Sequence, residues 1–341
     1  MKTGEYTILV IGLGSMGKRR IRNLKSLGYK NIYGFDFRAD RTKEVSATYQ
    51  IPVFSSFEEA LAGAKPNIFV ISVPPDKHHI YMDAAVKQGI HFFVEASVLD
   101  SGYKEIIEGV ADKKLVAAPS STLYFHPAIQ KIFNLVKEGS LGTISNFIYH
   151  SGQYLPDWHS YEKVEEYYVS QKSTGGAREI VPFELTWITK LLGFPSRVAG
   201  MHKKTINIQG AEQIDDTYNF LMDYNGFTVN MTVDVVSRAA TRKLLINGSE
   251  KQLIWNWDDN NVQIFSPEEN SWEIHEYSTT PSMEGYNKNI TEQMYIDEVK
   301  QFFNAVEGKE SFFNTLEYDY QILNLLYKIE ESCFSESFVK V

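Results

Sequence analysis

Along the first third of the chain, short apolar runs alternate with longer stretches of helical spacing. "TILVIG", "NIYGFD", "NIFVIS" and "HFFVEA" are too short for helices and rich in β-branched and aromatic residues, so they read as buried strands. Between them, "KRRIRNLKSLG", the region of "RTKEVSATY" and "HHIYMDAAVKQG" carry the pattern of one-faced helices. Strands separated by helices of this length build a parallel sheet from βαβ units. From about residue 119 the texture changes. Helices over "HPAIQKIFNLVKEG" and from Gly176 to Gly193 bracket an aromatic-rich loop. "TYNFLMDY", "FTVNMTVDVVS", "RKLLING", "KQLIWNW" and "NVQIFS" then alternate with turn residues such as Asn225-Gly226 and Asn247-Gly248, the signature of antiparallel hairpins. "YIDEVKQFFNAVEG" and "YDYQILNLLYKIEES" are helical by their spacing. The expected fold is α/β: a doubly wound parallel sheet over residues 1–118, then an α+β domain on an open, mainly antiparallel sheet over 119–341. The C-terminal helices are free to pack back on the first domain.

Composition narrows the partners. A chain of 341 residues with 43% hydrophobic and 23% charged residues can bury full cores, and its net charge of -9 opposes non-specific nucleic-acid binding. The apolar run near the N-terminus is too short for a signal peptide or membrane span, so a cytoplasmic protein without a membrane partner is expected. Cys333 is the single cysteine, and the eight histidines show no zinc spacing. No metal site is expected.

"ILVIGLGSMGKRRIRNL" places Gly12, Gly14 and Gly17 between a strand and a helix, with Ser15 and Met16 in the same turn. The first glycine permits the tight turn, the second lets a pyrophosphate approach the backbone, and the third lets the helix pack on the strand. The next strand ends at Asp36, at the distance where an acid binds the adenosine ribose of a Rossmann domain. Its carboxylate repels a 2′-phosphate and so favours NAD. Arg38 and Arg41 follow and offset that repulsion in part, which keeps NADP as the minority alternative. "VISVPPDKHH" runs a third strand into Pro74 and Pro75, with His78 behind them, at the sheet edge where such folds hold ligands. His78 equally suits a plain helix-start position.

These motifs, with "FFVEAS", "HPAIQKI" and "GGAREIVPFELTWITKLLG", resemble the Gfo/Idh/MocA family, the glucose-fructose oxidoreductase and inositol dehydrogenase group, over nearly the whole chain. "GQYLPDWH" further resembles a branch of nucleotide-sugar and surface-polysaccharide enzymes. The resemblance implies an NAD(P)-dependent oxidoreductase of a sugar, polyol or nucleotide sugar, dimeric or tetrameric through the open sheet. It also implies Glu95 at the cofactor, near the nicotinamide ribose. The family's Glu-Lys-Pro motif, whose lysine meets the reacting hydroxyl, reads Glu95-Ala96-Ser97 here. The family's aspartate and histidine, four residues apart on one helical face, align with Glu179 and Phe183. The cofactor half is intact, and the proton-handling half is altered.

Alcohol oxidation needs a proton acceptor. Glu179 keeps a carboxylate at the family's acid position, although a helix N-terminal acid favoured by the macrodipole fits it as well. The aromatic loop offers His159 and Lys172 as further proton carriers, with Tyr154 and Trp158 as sugar-stacking contacts. Tyr124 stands where the family has a substrate contact, and Arg178 is suited to an anionic substrate group. Two alternatives to hydride transfer stay open: an inactive, regulatory NAD-binding protein, and a non-redox glycosidase assisted by NAD.

Overall fold

The computed structural model describes residues 6–158, 162–279 and 290–341. The chain divides into two compact units, Met1–Thr122 with Tyr295–Tyr320, and Leu123–Met294 with Gln321–Val341. In the first unit, strands β1 (Ile8–Ile11), β2 (Ile32–Phe35), β3 (Val53–Phe54), β4 (Ile68–Ile71), β5 (His91–Val94) and β6 (Ala117–Pro119) alternate with helices α1 (Ser15–Ser26), α2 (Ala39–Tyr49), α3 (Phe57–Ala64), α4 (His78–Gln88) and α5 (Tyr103–Lys113). The strands are all parallel, in the order β3-β2-β1-β4-β5-β6. Every residue of β1 and β4 is buried, as strands covered on both faces must be. Chain direction switches between β1 and β4, which opens a crevice at their carboxyl ends. Helix α3 is capped by Ser56, whose Oγ accepts from the Glu59 amide at 3.3 Å.

The second unit contains α6 (Pro127–Lys137), β7 (Ile144–Tyr154), α7 (Ala177–Leu192), β8 (Arg197–Lys203), β9 (Thr217–Tyr224), β10 (Phe227–Asp234), β11 (Val236–Gly248), β12 (Gln252–Asn256), β13 (Asn261–Ser266) and β14 (Ser271–Glu276). Helices α8 (Glu292–Val306) and α9 (Leu316–Ser335) and strand β15 (Val339–Lys340) complete the described α-helices and strands. The described strands of this unit form one sheet, β14-β13-β12-β11-β7-β10-β9-β8-β15, antiparallel except where β7 lies parallel to β10. Asn225 and Gly226 make the predicted two-residue turn, with Gly226 at φ +99°. Asn247 and Gly248 do not: both continue β11, and the chain reverses beyond them, because Asn247 pairs with Gln252.

One sheet face alternates buried residues toward α7. Tyr149 and Ser151 donate to Glu184 at 2.8 and 2.9 Å, and Arg242 and Trp187 add bonds of 2.9 and 3.0 Å. Glu184 is fully buried, with four donors on its two oxygens, so this acid belongs to the packing of helix on sheet.

After the second unit the chain returns to the first. Val299, Phe302, Phe303 and Phe312 join Ile8, Val10, Ile68 and Phe93 in one buried cluster, and Phe303 stacks on Tyr29 at 4.1 Å. Each buried ring contributes roughly 1.5–3 kcal/mol. Asp319, also buried, accepts the Tyr103 hydroxyl at 2.7 Å and the Asn314 amide at 3.3 Å. Burial raises its carboxyl from 3.8 to about 6, against the opposing pull of those two bonds. A carboxyl raised on folding stabilises fully below the unfolded value, and that contribution is lost as pH rises through about 6. Urea unfolding of Asp319→Asn against the parent between pH 4 and 7 should therefore show the parent losing on the order of 3 kcal/mol relative to the variant. Parallel pH profiles would dismiss Asp319 as a titrating group.

Candidate active site

The glycine turn has the shape a dinucleotide needs. A Cβ on Gly12, at φ +89°, would lie 2.5 Å from the Ser72 carbonyl oxygen, and one on Gly17 would lie 1.9 Å from the Gly12 carbonyl oxygen. Both positions are closed to any side chain. A Cβ on Gly14 would meet only the Arg41 guanidinium, at 3.4 Å, so this face of the turn is bare backbone. Gly14 is also the N-cap of α1 and supplies no side-chain cap, and no acid sits in the first turn. A helix start so arranged suits a pyrophosphate.

Asp36 follows the last residue of β2 and is buried. Its Oδ2 accepts from the Leu13 amide at 2.8 Å and its Oδ1 from the Arg38 amide at 2.9 Å, so the ribose acid also holds the glycine turn. A carboxylate has about four acceptor sites, which leaves capacity for ribose hydroxyls. Arg38 turns its guanidinium to Asp40, at 2.7 Å, while Arg41 stands 3.7 Å from Asp36. Ser15 and Met16 open α1, half-buried beside the turn.

Two of the expected cofactor residues are engaged by groups of the chain itself. Glu95 does follow β5, but Arg20 Nε and Nη2 bind its two oxygens at 2.7 and 2.9 Å, and Ser72 adds a bond of 3.2 Å. Arg20 is itself fully buried and reaches Glu298 Oε2 at 3.0 Å, with the Phe93 ring 4.4 Å from its guanidinium. Burial opposes its charge, yet Glu95 and Glu298 more than offset this and hold the guanidinium protonated. Glu298 in turn accepts from the Ser121 amide at 2.6 Å and the Thr122 hydroxyl at 2.7 Å. Glu95 is thus one end of a carboxylate–arginine–carboxylate bridge that ties α1 to the carboxyl ends of β5 and β6.

His78 is the second of these residues. Its Nε2 lies 2.9 Å from the Val73 carbonyl, which can only accept, so this nitrogen carries the proton. Nδ1, at 2.9 Å, then accepts from the Ser97 hydroxyl. Burial lowers the imidazole to about 4, which keeps it neutral, and neither nitrogen remains for a cofactor. Ser97, where the family pattern has proline, thereby fastens the β5 loop to the Pro74-Pro75 loop. Pro74 is exposed and Pro75 buried in the short turn before α4.

In the second unit, Glu179 stands in the first turn of α7. Tyr168 donates its hydroxyl to Oε1 at 2.5 Å. Oε2 is buried without a hydrogen-bond partner among the described residues. Burial raises this carboxyl to about 7, with the Tyr168 bond pulling the other way. Glycines hold the pair together: a Cβ on Gly175 would sit 1.9 Å from the Val169 carbonyl oxygen, and Gly176 adopts φ +66°. Thr174 Oγ1 donates to the Tyr168 carbonyl at 2.8 Å. Phe183, one turn along, contributes no proton-carrying group.

The remaining candidates diverge. Arg178 does not stand open to a substrate anion, since Nε binds Glu330 at 2.6 Å and Nη1 binds the Ser173 carbonyl at 2.6 Å. Lys172 is exposed. His159 lies outside the described residues. Trp158 is half-buried, with its Nε1 buried and unpartnered. Tyr154 lies 3.8 Å beneath the Arg238 guanidinium, and Tyr124 packs against Phe125 and Phe133. Tyr168, Arg20 and Glu298 are absent from the sequence reading. Among the described residues no three His, Cys, Asp or Glu side chains converge as metal ligands, and no helix is long and apolar enough to cross a membrane.

The chain belongs to the Gfo/Idh/MocA family. Residues 6–100 match the model of an oxidoreductase family with an NAD-binding Rossmann fold, and residues 129–254 match the family's C-terminal domain. Its nucleotide cofactor is NAD. Among solved structures, it is similar to a levoglucosan dehydrogenase in complex with NADH and levoglucosan, with TM-score 0.84, 18% identity and 98% of each chain covered. An oxidoreductase from Agrobacterium radiobacter, bound to NAD+, L-tartaric acid and magnesium, gives TM-score 0.85 at 12% identity over 98% of each chain. A UDP-N-acetylglucosamine 3-dehydrogenase from Acidithiobacillus ferrooxidans gives 0.76 at 17% identity, over 97% of this chain and 98% of that one. At such identities the likeness establishes the fold. No curated protein matches the chain.

Proposed function

We propose that this protein transfers a hydride between NAD and a sugar, polyol or nucleotide sugar, with Glu179 as its proton-handling group. The observation that carries the reading is the Glu179 carboxylate, at the family's acid position, with one buried oxygen free of partners and an affinity for protons near neutrality. A base works best when its pKa lies near the operating pH. Gly12, Gly14, Gly17 and Asp36 hold the dinucleotide, which when bound supplies the hydride acceptor. Glu179 takes the hydroxyl proton during oxidation and returns it during reduction. Tyr168 keeps the carboxylate oriented, and Tyr154, Trp158 and Tyr124 are the proposed sugar contacts. Ala96 at the family lysine's position supports a second reading, a protein that binds NAD without turnover.

The test is single turnover with stoichiometric enzyme and NAD, a panel of sugars and nucleotide sugars, and absorbance of reduced nicotinamide as the readout. Reduction by one substrate is the expected result. Silence across the panel, with NAD binding confirmed, would favour the second reading.

We also propose that a second copy of the chain covers the open sheet face. Paired positions lay Leu221, Asn230, Ile148, Leu245, Ile254, Gln263 and Ile274 in one row across the strands. Leu221, Ile148 and Ile274 are 46%, 44% and 57% exposed, too apolar a stripe for a face left in water. Sedimentation should give a dimer or tetramer that Ile148→Asp weakens at least about tenfold. A parent that sediments as a monomer would refute the assignment.

A further inference from the structure

Arg178 precedes Glu179 in α7, and its guanidinium is shared between two anchors. On one side Nε and Nη2 bind the two oxygens of Glu330, on α9, at 2.6 and 3.3 Å. Glu330 Oε1 also accepts the Tyr218 hydroxyl of β9 at 3.0 Å, so the carboxylate that receives the fork is itself held by the sheet. On the other side Nη1 donates to the Ser173 carbonyl at 2.6 Å. A planar guanidinium bonded at both ends has one orientation and one reach, which a flexible ammonium lacks.

The second anchor leads back to Glu179. Thr174, next to Ser173, donates its hydroxyl to the Tyr168 carbonyl at 2.8 Å, and Tyr168 donates its own hydroxyl to Glu179 Oε1 at 2.5 Å. The Gly176 amide closes the same loop on the Val169 carbonyl at 3.1 Å. These contacts form a ring that runs from Glu179 through Arg178, Ser173, Thr174 and Tyr168 to Glu179 again. Glu330 grips it from outside, 152 residues along the chain from Arg178. Among the described residues Tyr168 is the titratable group that acts on the Glu179 carboxyl, and its bond favours the charged form against burial. Whatever keeps Tyr168 in place thereby sets how readily Glu179 takes a proton.

We propose that Arg178 and Glu330 are positioning residues, whose bridge holds the Tyr168 hydroxyl on Glu179 by way of the Ser173 carbonyl. Arg178 acts through the loop, and Glu330 acts through Arg178. The bearing of this device on catalysis rests on the reading of Glu179 given above, whereas the coupling between the two pairs stands without it.

Infrared titration of the full-length protein saturated with NAD reads the coupling without substrate, the Glu179 band being assigned by its loss in Glu179→Gln. Tyr168→Phe should raise the proton affinity of Glu179 on the order of tenfold, the worth of one hydrogen bond to a charged group. Glu330→Gln takes the charge from the bridge and Thr174→Val takes the hydroxyl from the loop, both with little change of shape. Each should raise that affinity about threefold or more. Added to Tyr168→Phe, neither should raise it further, because the bond they support is already gone. Arg178→Lys keeps the charge but loses the fork, and should titrate as Arg178→Met does. Rescue by lysine would show that Arg178 acts by its charge and would overturn the tether. A Glu179 titration unmoved by Glu330→Gln and Thr174→Val, whatever stability those variants lose in urea, would overturn the positioning role. Full-rate turnover by Glu179→Gln would instead remove the catalytic reading and leave the titration shifts standing.

Discussion

Glu179→Gln is expected to slow single-turnover hydride transfer on the order of 10²–10⁴-fold, the usual contribution of a positioned general base, while NAD affinity stays unchanged. The amide preserves shape and can still accept the Tyr168 hydroxyl, so the loss isolates proton transfer. The parent's pH profile should carry the same signature. Oxidation needs the carboxylate, so its rate should climb as pH rises through about 7 and level off above it. Tyr168→Phe removes the hydrogen bond that favours the charged form, and the ascending limb should move to higher pH with its plateau largely retained. A tyrosine that served packing alone would leave the limb in place. Infrared titration of the Glu179 carboxyl gives the same comparison without substrate. Full-rate turnover by Glu179→Gln would remove Glu179 from the chemistry.

The largest loss of stability is expected at Arg20. Arg20→Ala strands the Glu298 carboxylate, fully buried, and Glu95, only 14% exposed, without their shared cation. Breaking a buried ion pair from one side costs about 3–5 kcal/mol, because the remaining charge has neither water nor partner. Burial already raises the Glu298 carboxyl, with Arg20 pulling it down, so the variant should bind a proton there on folding and lose further stability as pH rises. Denaturant unfolding measures the loss. Arg20→Met combined with Glu95→Gln and Glu298→Gln should recover most of it, since an uncharged trio has no stranded ion. A single Arg20→Ala cost below about 1 kcal/mol would show that the bridge is solvated.

The two environments of acid in this molecule explain what could be read from the sequence. The glycine turn and Asp36 were legible because their constraints are local: a strand, three glycines at fixed offsets and an acid at the next strand's end already specify the geometry. Alternating strand patterns disclosed an open sheet, but not that β7 lies between β11 and β10, since pairing across some eighty residues leaves no local trace. Glu95 was read by its place in a motif, whereas its partner lies on α1 and the bridge closes on α8, over 200 residues from Glu95 in sequence. Nothing in "GKRRIRNL" says which arginine meets Glu95, since Arg19 and Arg20 are both buried. Tyr168 was one of many aromatic residues in its loop, and only the backbone approach at Gly175 brings it onto Glu179.

The return of residues 295–320 to the first unit governs how this protein can be made. While the ribosome is still adding the second unit, the nucleotide-binding unit lacks Val299, Phe302, Phe303 and Phe312, and Arg20 lacks Glu298. Completion of its core must therefore wait for about the last seventh of the chain, when most of the second unit has already emerged. That order favours early docking of a chaperone on the unfinished sheet, and it makes any natural break or engineered cut near residue 118 a lesion of both halves rather than a clean separation of two domains.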